Sequence, residues 1–180
     1  MSQIPPVEYT SDAQVDDVLD RELRRLLSTC YTAADVSAAF RERRYLRDCP
    51  QHRWFIWGQQ GELASHVAVH ERTSHAQQRQ FKTAGIGSVC VAPAYRRRGF
   101  VRIMLAAVHE WLIAWQFAFA ILFGNPSVYR SSGYVQVENI LRDAKTDTGE
   151  ECRKPVPGMI RELSETSWPS GEVYLPRPSF

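Results

Sequence analysis

Apolar positions recur at helical spacing early in the chain. Val15, Val18, Leu19, Leu23 and Leu26 share one face, which predicts a helix from a cap at Asp12 to about Thr29. A second helix is expected from a cap at Thr32 through Arg47, ended by Pro50. The pattern then changes to short apolar runs. A strand near Val7–Thr10 precedes the helices, and a hairpin is predicted from Trp54–Gly58 and Leu63–Glu71, turning around Gln60-Gly61. Gly85–Val91 reads as a strand, Gly99 to Trp115 as a helix, and Phe117–Phe123 as a strand. Pro126–Ser132 reads as a short helix and Tyr134–Ile140 as a strand. In the long helix, Arg102, His109 and Gln116 form a polar stripe. Met104, Val108, Trp111 and Trp115 are expected to pack on the sheet. Several strands precede the first strand–helix–strand unit, so a mixed α/β sheet is expected over a doubly wound one.

Length and composition narrow the class. The chain has 180 residues, enough for one domain that buries roughly 70% of its unfolded surface. It is 44% hydrophobic and 23% charged, which argues against disorder and coiled coil. Five of the 10 prolines fall between Pro155 and Pro178. Residues 1–140 therefore read as a packed body. Residues 141–180 read as a strand and a Pro-rich extension of the same domain, expected to lie over the body because proline interrupts sheet ladders. The net charge of +2 is too balanced for a dedicated nucleic-acid binder. Cys30, Cys49, Cys90 and Cys152 form no CxxC pair, so no metal site is expected. Met1–Pro6 lacks signal-peptide character, and the longest apolar run, Trp111–Phe123, is too short to span a bilayer. A cytoplasmic, reduced protein is expected.

Chemistry concentrates at the end of the strand that closes at Val91. Val89-Cys90-Val91-Ala92-Pro93 is followed by Arg96, Arg97, Arg98, Gly99 and Arg102, where the long helix begins. A helix start offers unpaired N–H groups and the positive end of a dipole, and glycine lets the backbone approach a bulky anion. Strand, basic glycine turn and helix together describe a pyrophosphate cradle. The other arginine run, from Arg41 to Arg47, is interrupted by Glu42 and reads as a solvated helix face.

The stretch Arg96-Arg-Arg-Gly99-Phe100-Val101 resembles motif A of the GNAT superfamily of acyl-CoA N-acyltransferases, with Val101 where that family has Gly or Ala. A second stretch, Asn125 to Tyr134, resembles the family's Tyr-x-x-x-Gly-Phe element through Tyr129, Gly133 and Tyr134. Two shorter segments, Glu62–Val69 and Ser167–Val173, are similar to the nodulation N-acyltransferases and the aminoglycoside 2′-N-acetyltransferases. The resemblance implies a single GNAT-type domain, with a mixed, mostly antiparallel twisted sheet flanked by helices and splayed at its central strands.

It also implies a chemistry. Acetyl-CoA is the expected co-substrate and the primary amine of a small molecule the acceptor, with direct attack in a ternary complex. No metal and no nucleic-acid partner are expected, and a homodimer is compatible with the family. Val89, Cys90 and Val91 are expected to bind pantetheine through backbone, with an N–H near Cys90 or Val91 steadying the oxyanion. Arg96, Arg97, Arg98, Gly99, Phe100, Val101 and Arg102 are expected to hold the pyrophosphate, with Asn125 also at the cofactor. Tyr129 is the candidate general acid, returning a proton to the departing sulfur. Many family members place a carboxylate base on the fourth strand, but Ala84–Ser88 carries none. His66, His70, a water on Ser88, and Glu172 remain as alternatives, with Glu172, His66 and Ser88 taken toward the acceptor. Two further readings stand beside this one: a longer acyl donor, and a CoA-binding module without catalysis.

Overall fold

A computed structural model describes residues 5–177; part of the N-terminal stretch read above for targeting, and the last residues of the extension, lie outside it. The fold is mixed α/β with a mainly antiparallel sheet. Residue contacts group the chain into two compact units. The first comprises the chain up to His70 together with Ile86–Val108, and the second comprises Glu71–Gly85 and the chain from His109 onward.

In the first unit, β1 (Glu8–Ser11) pairs antiparallel with β2 (His52–Trp57), and β2 with β3 (Leu63–Ala76). Between β1 and β2 lie α1 (Asp17–Cys30) and α2 (Ala34–Glu42). The cap of α1 differs from expectation. Asp16 accepts the Leu19 N–H at 2.8 Å, while Asp12 starts a short 3₁₀ turn and is buried. The physical reason is a competing partner: Asp12 is drawn inward by two guanidinium groups, described below. The second helix is also shorter than predicted and begins without a side-chain cap. Arg43 is extended after Glu42, so that Arg44 reaches Asp12 and Asp20 instead of continuing the helix. Leu19, Leu23, Leu26 and Leu27 of α1 form a core with Phe40, Phe55, Leu63 and Cys90.

β3 and β4 (Arg79–Val91) are longer than predicted and run through both units. They are joined at Gln77-Gln78, both with positive φ (49° and 62°). That geometry suits a two-residue hairpin turn, but Gln-Gln lacks the Asn-Gly signature that announces one. In the second unit, β4 pairs in parallel with β5 (Phe119–Leu122) over Thr83–Gly85, and continues to Val91.

The Pro-rich segment corrects the sequence reading. Much of it is a strand, β7 (Glu151–Glu162), which pairs antiparallel with both β5 and β6 (Val135–Lys145). Pro155 and Pro157 are two residues apart, so their missing N–H groups address the same edge of β7. Pairing with β5 involves only Met159–Glu162, which leaves the proline stretch with β6 alone. A bulge in β6 between Val137 and Ile140 absorbs the irregularity. The short β8 (Val173–Tyr174) joins β6 in parallel. Trp168 packs edge-on against Phe119 at 4.9 Å and donates its ring N–H to Asn139 at 2.9 Å.

The long helix α3 (Phe100–Ala114) buries Met104, Leu105, Val108 and Leu112. Two expectations fail here. His109 is buried, and Trp115 is 58% exposed. The helix ends before Trp115, and the chain reverses at Gln116 with φ 59°, which throws that ring outward onto Trp111.

Candidate functional site

The basic turn is built on a small anchor that the sequence reading missed. β4 ends at Val91, and Pro93–Tyr95 makes one 3₁₀ turn with proline at its start. The Tyr95 hydroxyl donates to Glu62 at 2.5 Å and accepts the Gln59 N–H at 3.3 Å. That bond holds the Glu62 carboxyl below its ordinary range and raises the Tyr95 phenol. The Tyr95 ring stacks on Phe100, and the Arg98 guanidinium lies over it, 5.2 Å from the centroid. Both ends of the turn are therefore pinned to one ring.

Between these pins the backbone takes left-handed φ twice, at Arg97 (62°) and Gly99 (79°). A Cβ on Gly99 would meet nothing within 4 Å, so the space above it is open. Arg96, Arg97, Arg98 and Arg102 are exposed, while Val101 is half-buried. The first N–H groups of α3 follow immediately. Left-handed turns leading into a helix start make an anion-binding concavity, so the donor set fits a diphosphate.

The neighbouring end of β4 is held from inside. Ser88 has φ 46°, a left-handed position for a non-glycine residue and so a strained one. Its carbonyl lies 3.0 Å from His66 Nδ1. A carbonyl only accepts, so Nδ1 carries the proton and Nε2 accepts from Arg53 Nη1 at 3.1 Å. Arg53 is fully buried and donates to Asp12 at 2.5 Å. Asp12 also takes Arg44 at 2.6 Å and the Cys49 thiol at 2.9 Å. Burial alone would raise the Asp12 carboxyl, but Arg44, Cys49 and Arg53 outweigh it and hold it well below the usual range. Burial, and next Arg53, push His66 down to about 3. His66 is thus neutral, enclosed and engaged at both ring nitrogens. The structure takes it away from the acceptor role expected of it and makes it a brace for Ser88. His70 is buried as well, with Nδ1 at 3.9 Å from Asp48.

The carbonyls expected to meet pantetheine have side-chain donors already. Val89 accepts the Tyr31 hydroxyl at 3.2 Å. Val91 accepts the Cys30 thiol at 3.4 Å and Arg96 Nε at 3.2 Å. Cys90 is 5% exposed and faces the α1 core.

The remaining expected residues lie in the second unit. Tyr129 ends α4 (Pro126–Tyr129) and is half-buried, edge-on to Tyr134. Gly124 packs beneath its ring: a Cβ there would sit 2.5 Å from Tyr129 Cε2. Asn125, expected at the cofactor, caps α4, accepting the Ser127 N–H at 2.9 Å. Tyr134 is buried with its hydroxyl 2.9 Å from His109 Nε2. Glu172 is exposed beside Gly171, whose carbonyl is held by Asn139.

A parallel β4–β5 pair with β4 running on past it, and a basic glycine turn opening the next helix, fit the GNAT-type fold that the sequence resemblance implies. The family model for the acetyltransferase (GNAT) domain matches residues 13–137, and the chain belongs to that family. Among solved structures, the chain is similar to the GNAT family N-acetyltransferase YhbS of Escherichia coli, solved in complex with CoA. The two share 14% identity over 97% of this chain and 91% of that one, with a TM-score of 0.66. Escherichia coli ElaA is 16% identical over 88% of this chain and 100% of that one, with a TM-score of 0.59. A probable N-acyltransferase from Enterococcus faecalis V583 is 18% identical over 76% of this chain, with a TM-score of 0.58, and the chain spans 33% of its length. At these identities the likeness concerns the fold. No curated protein matches the chain.

Proposed function

We propose that this protein moves an acetyl group from acetyl-CoA to the primary amine of a small molecule. The observation that carries this reading is the open, left-handed turn at Gly99, set between exposed arginines and the start of α3 in a GNAT chain. CoA in the YhbS structure supports the choice of donor. Bound acetyl-CoA supplies an activated acyl thioester. Arg96, Arg97, Arg98 and Arg102, with the N–H groups of residues 97–102, hold its diphosphate. The backbone of Val89–Val91 aligns the pantetheine arm. A carbonyl has two lone pairs, so Val89 can accept a pantetheine amide beside Tyr31, while at Val91 an amide takes the place of Cys30 or Arg96. Cys90 acts through its backbone, and Tyr129 returns a proton to the departing sulfur. With His66 engaged, a base is left to His70, to Glu172, to a water on Ser88, or to an amine that arrives neutral.

Calorimetry with CoA tests the cradle, and thiol release from acetyl-CoA across polyamines, aminoglycosides, amino acids and peptides tests the transfer. Gly99→Val replaces a left-handed glycine with a branched residue and abolishes CoA binding; unchanged affinity places the diphosphate elsewhere. Tyr129→Phe lowers turnover by about 10²–10⁴-fold with CoA affinity kept; an unchanged rate removes Tyr129 from the chemistry. A CoA-binding module without catalysis is favoured by one feature, a fourth strand with no carboxylate beside an engaged histidine. CoA binding without thiol release on any amine would select it.

A further inference from the structure

Cys30 and Cys90 are far apart in sequence, yet the fold brings them together within the first unit. Cys30 is the last residue of α1 and Cys90 the penultimate residue of β4. Cys90 belongs to the apolar core beneath α1, and Cys30 packs against it. Cys30 Sγ lies 3.4 Å from the carbonyl of Val91, the residue after Cys90, and each thiol shifts the ionisation of the other. Both cysteines are in the thiol form.

Their surroundings differ in a way that assigns roles. Cys30 is half-buried and Cys90 is enclosed. The carboxyl end of α1 opposes a thiolate at Cys30. Working for it are the neighbouring Cys90 thiol and, after the opposing effect of burial, the Arg96 and Arg25 guanidiniums, and together these lower the Cys30 thiol. The partnership and burial both raise Cys90. Cys49 provides a contrast. Burial, and then the Asp12 carboxylate that its thiol donates to, raise it to about 11. Cys152 sits on β7 opposite Ala144.

We propose that Cys30 and Cys90 form an oxidisable dithiol, in which the Cys30 sulfur attacks a peroxide and Cys90 resolves the product as a disulfide. The Cys30 thiolate takes one peroxide oxygen, the O–O bond breaks, and the other oxygen leaves as hydroxide, which is protonated to water. Cys30 is then a sulfenic acid. The Cys90 sulfur attacks the Cys30 sulfur, the S–O bond breaks, and water leaves with the Cys90 proton. Two thiols and one hydrogen peroxide become one disulfide and two waters. The bond ties the end of α1 to the end of β4 and withdraws the Cys30 thiol proton from the Val91 carbonyl. This does not depend on CoA binding or on acetyl transfer.

The test treats the reduced full chain with stoichiometric hydrogen peroxide, then denatures it in an alkylating reagent and maps the peptides by mass spectrometry. The expected result is a linked pair of peptides carrying Cys30 and Cys90, with Cys49 and Cys152 alkylated, reversed by dithiothreitol. Cys90→Ala then traps Cys30 as a sulfenic acid that a dimedone probe captures, and Cys30→Ser leaves Cys90 a thiol. The proposal is overturned if Cys49 or Cys152 oxidises first, if Cys30 proceeds to sulfinic acid while Cys90 stays alkylatable, or if all four cysteines remain thiols after the treatment. A circular dichroism spectrum matching the parent confirms that each variant is folded.

Discussion

At His66 the residue type suggests a proton carrier and the surroundings remove that ability. Its pKa is about 3 in the folded chain against an ordinary 6.5. Between those values the unfolded chain binds a proton that the native one refuses. The stability contributed by a neutral His66 is therefore complete above pH 6.5 and is lost as pH falls toward 3. Denaturant titrations should show stability falling by up to about 1.4 kcal/mol per pH unit for each such histidine. His109, also pushed to about 3 by burial first and then by Arg161, adds to the slope. Replacing His66 with Gln, which can donate to Ser88, should make the slope shallower by one proton; an unchanged slope means His66 protonates freely. Cys30 gives a second residue-scale prediction. With its thiol held at about 7, alkylation should accelerate through that pH, while Cys49, at about 11, stays unreactive at pH 8. Equal rates for the two thiols would contradict the assignment.

At the scale of elements, the sheet depends on pieces that steady one another. Leu23 is fully buried in the α1 core, and Leu23→Ala should cost about 2–5 kcal/mol in denaturant unfolding. A loss below half a kilocalorie would mean that α1 is not packed as described. Gly124 tests the setting of Tyr129. Gly124→Ala puts a methyl where the Tyr129 ring now lies, so it should lower turnover while CoA affinity stays unchanged. Equal turnover would show that the ring position is not needed. In the C-terminal region, Trp168 acts through Phe119 and Asn139, a structural reason for a tryptophan in this segment.

For the molecule as a whole, the charge is nearly balanced at +2, so attraction for an anionic donor must come from the local arginines. These are exposed, and exposed charges are screened with a Debye length of about 8–10 Å at ordinary salt. Saturating CoA should raise the unfolding free energy by about 2.7 kcal/mol at a hundredfold excess over its dissociation constant. The affinity behind that gain should weaken steadily as salt rises. A salt-independent affinity would mean that the diphosphate is not held by these guanidiniums.

The sequence by itself determined what short-range physics controls. Apolar spacing located α1 and α3, and the hairpin and the strand ending at Val91 were legible from alternation and turn residues. The arginines around Gly99 pointed to the candidate cradle, because a strand, a glycine turn and a helix start are neighbours in the chain. Tertiary structure alone decided the rest, because the partners involved are distant in sequence. Asp12 looked like a cap and instead holds Arg44 and Arg53; the one available signal was an arginine inside the apolar run of β2. His66 became a brace once Arg53 and Ser88 met its two nitrogens. The proline stretch could join a sheet because its β5-side edge lies beyond the β5 pairing. Local rules fix how a segment bends; which side chain it meets after folding is set by packing, and that meeting decides whether a titratable group carries protons or holds the frame.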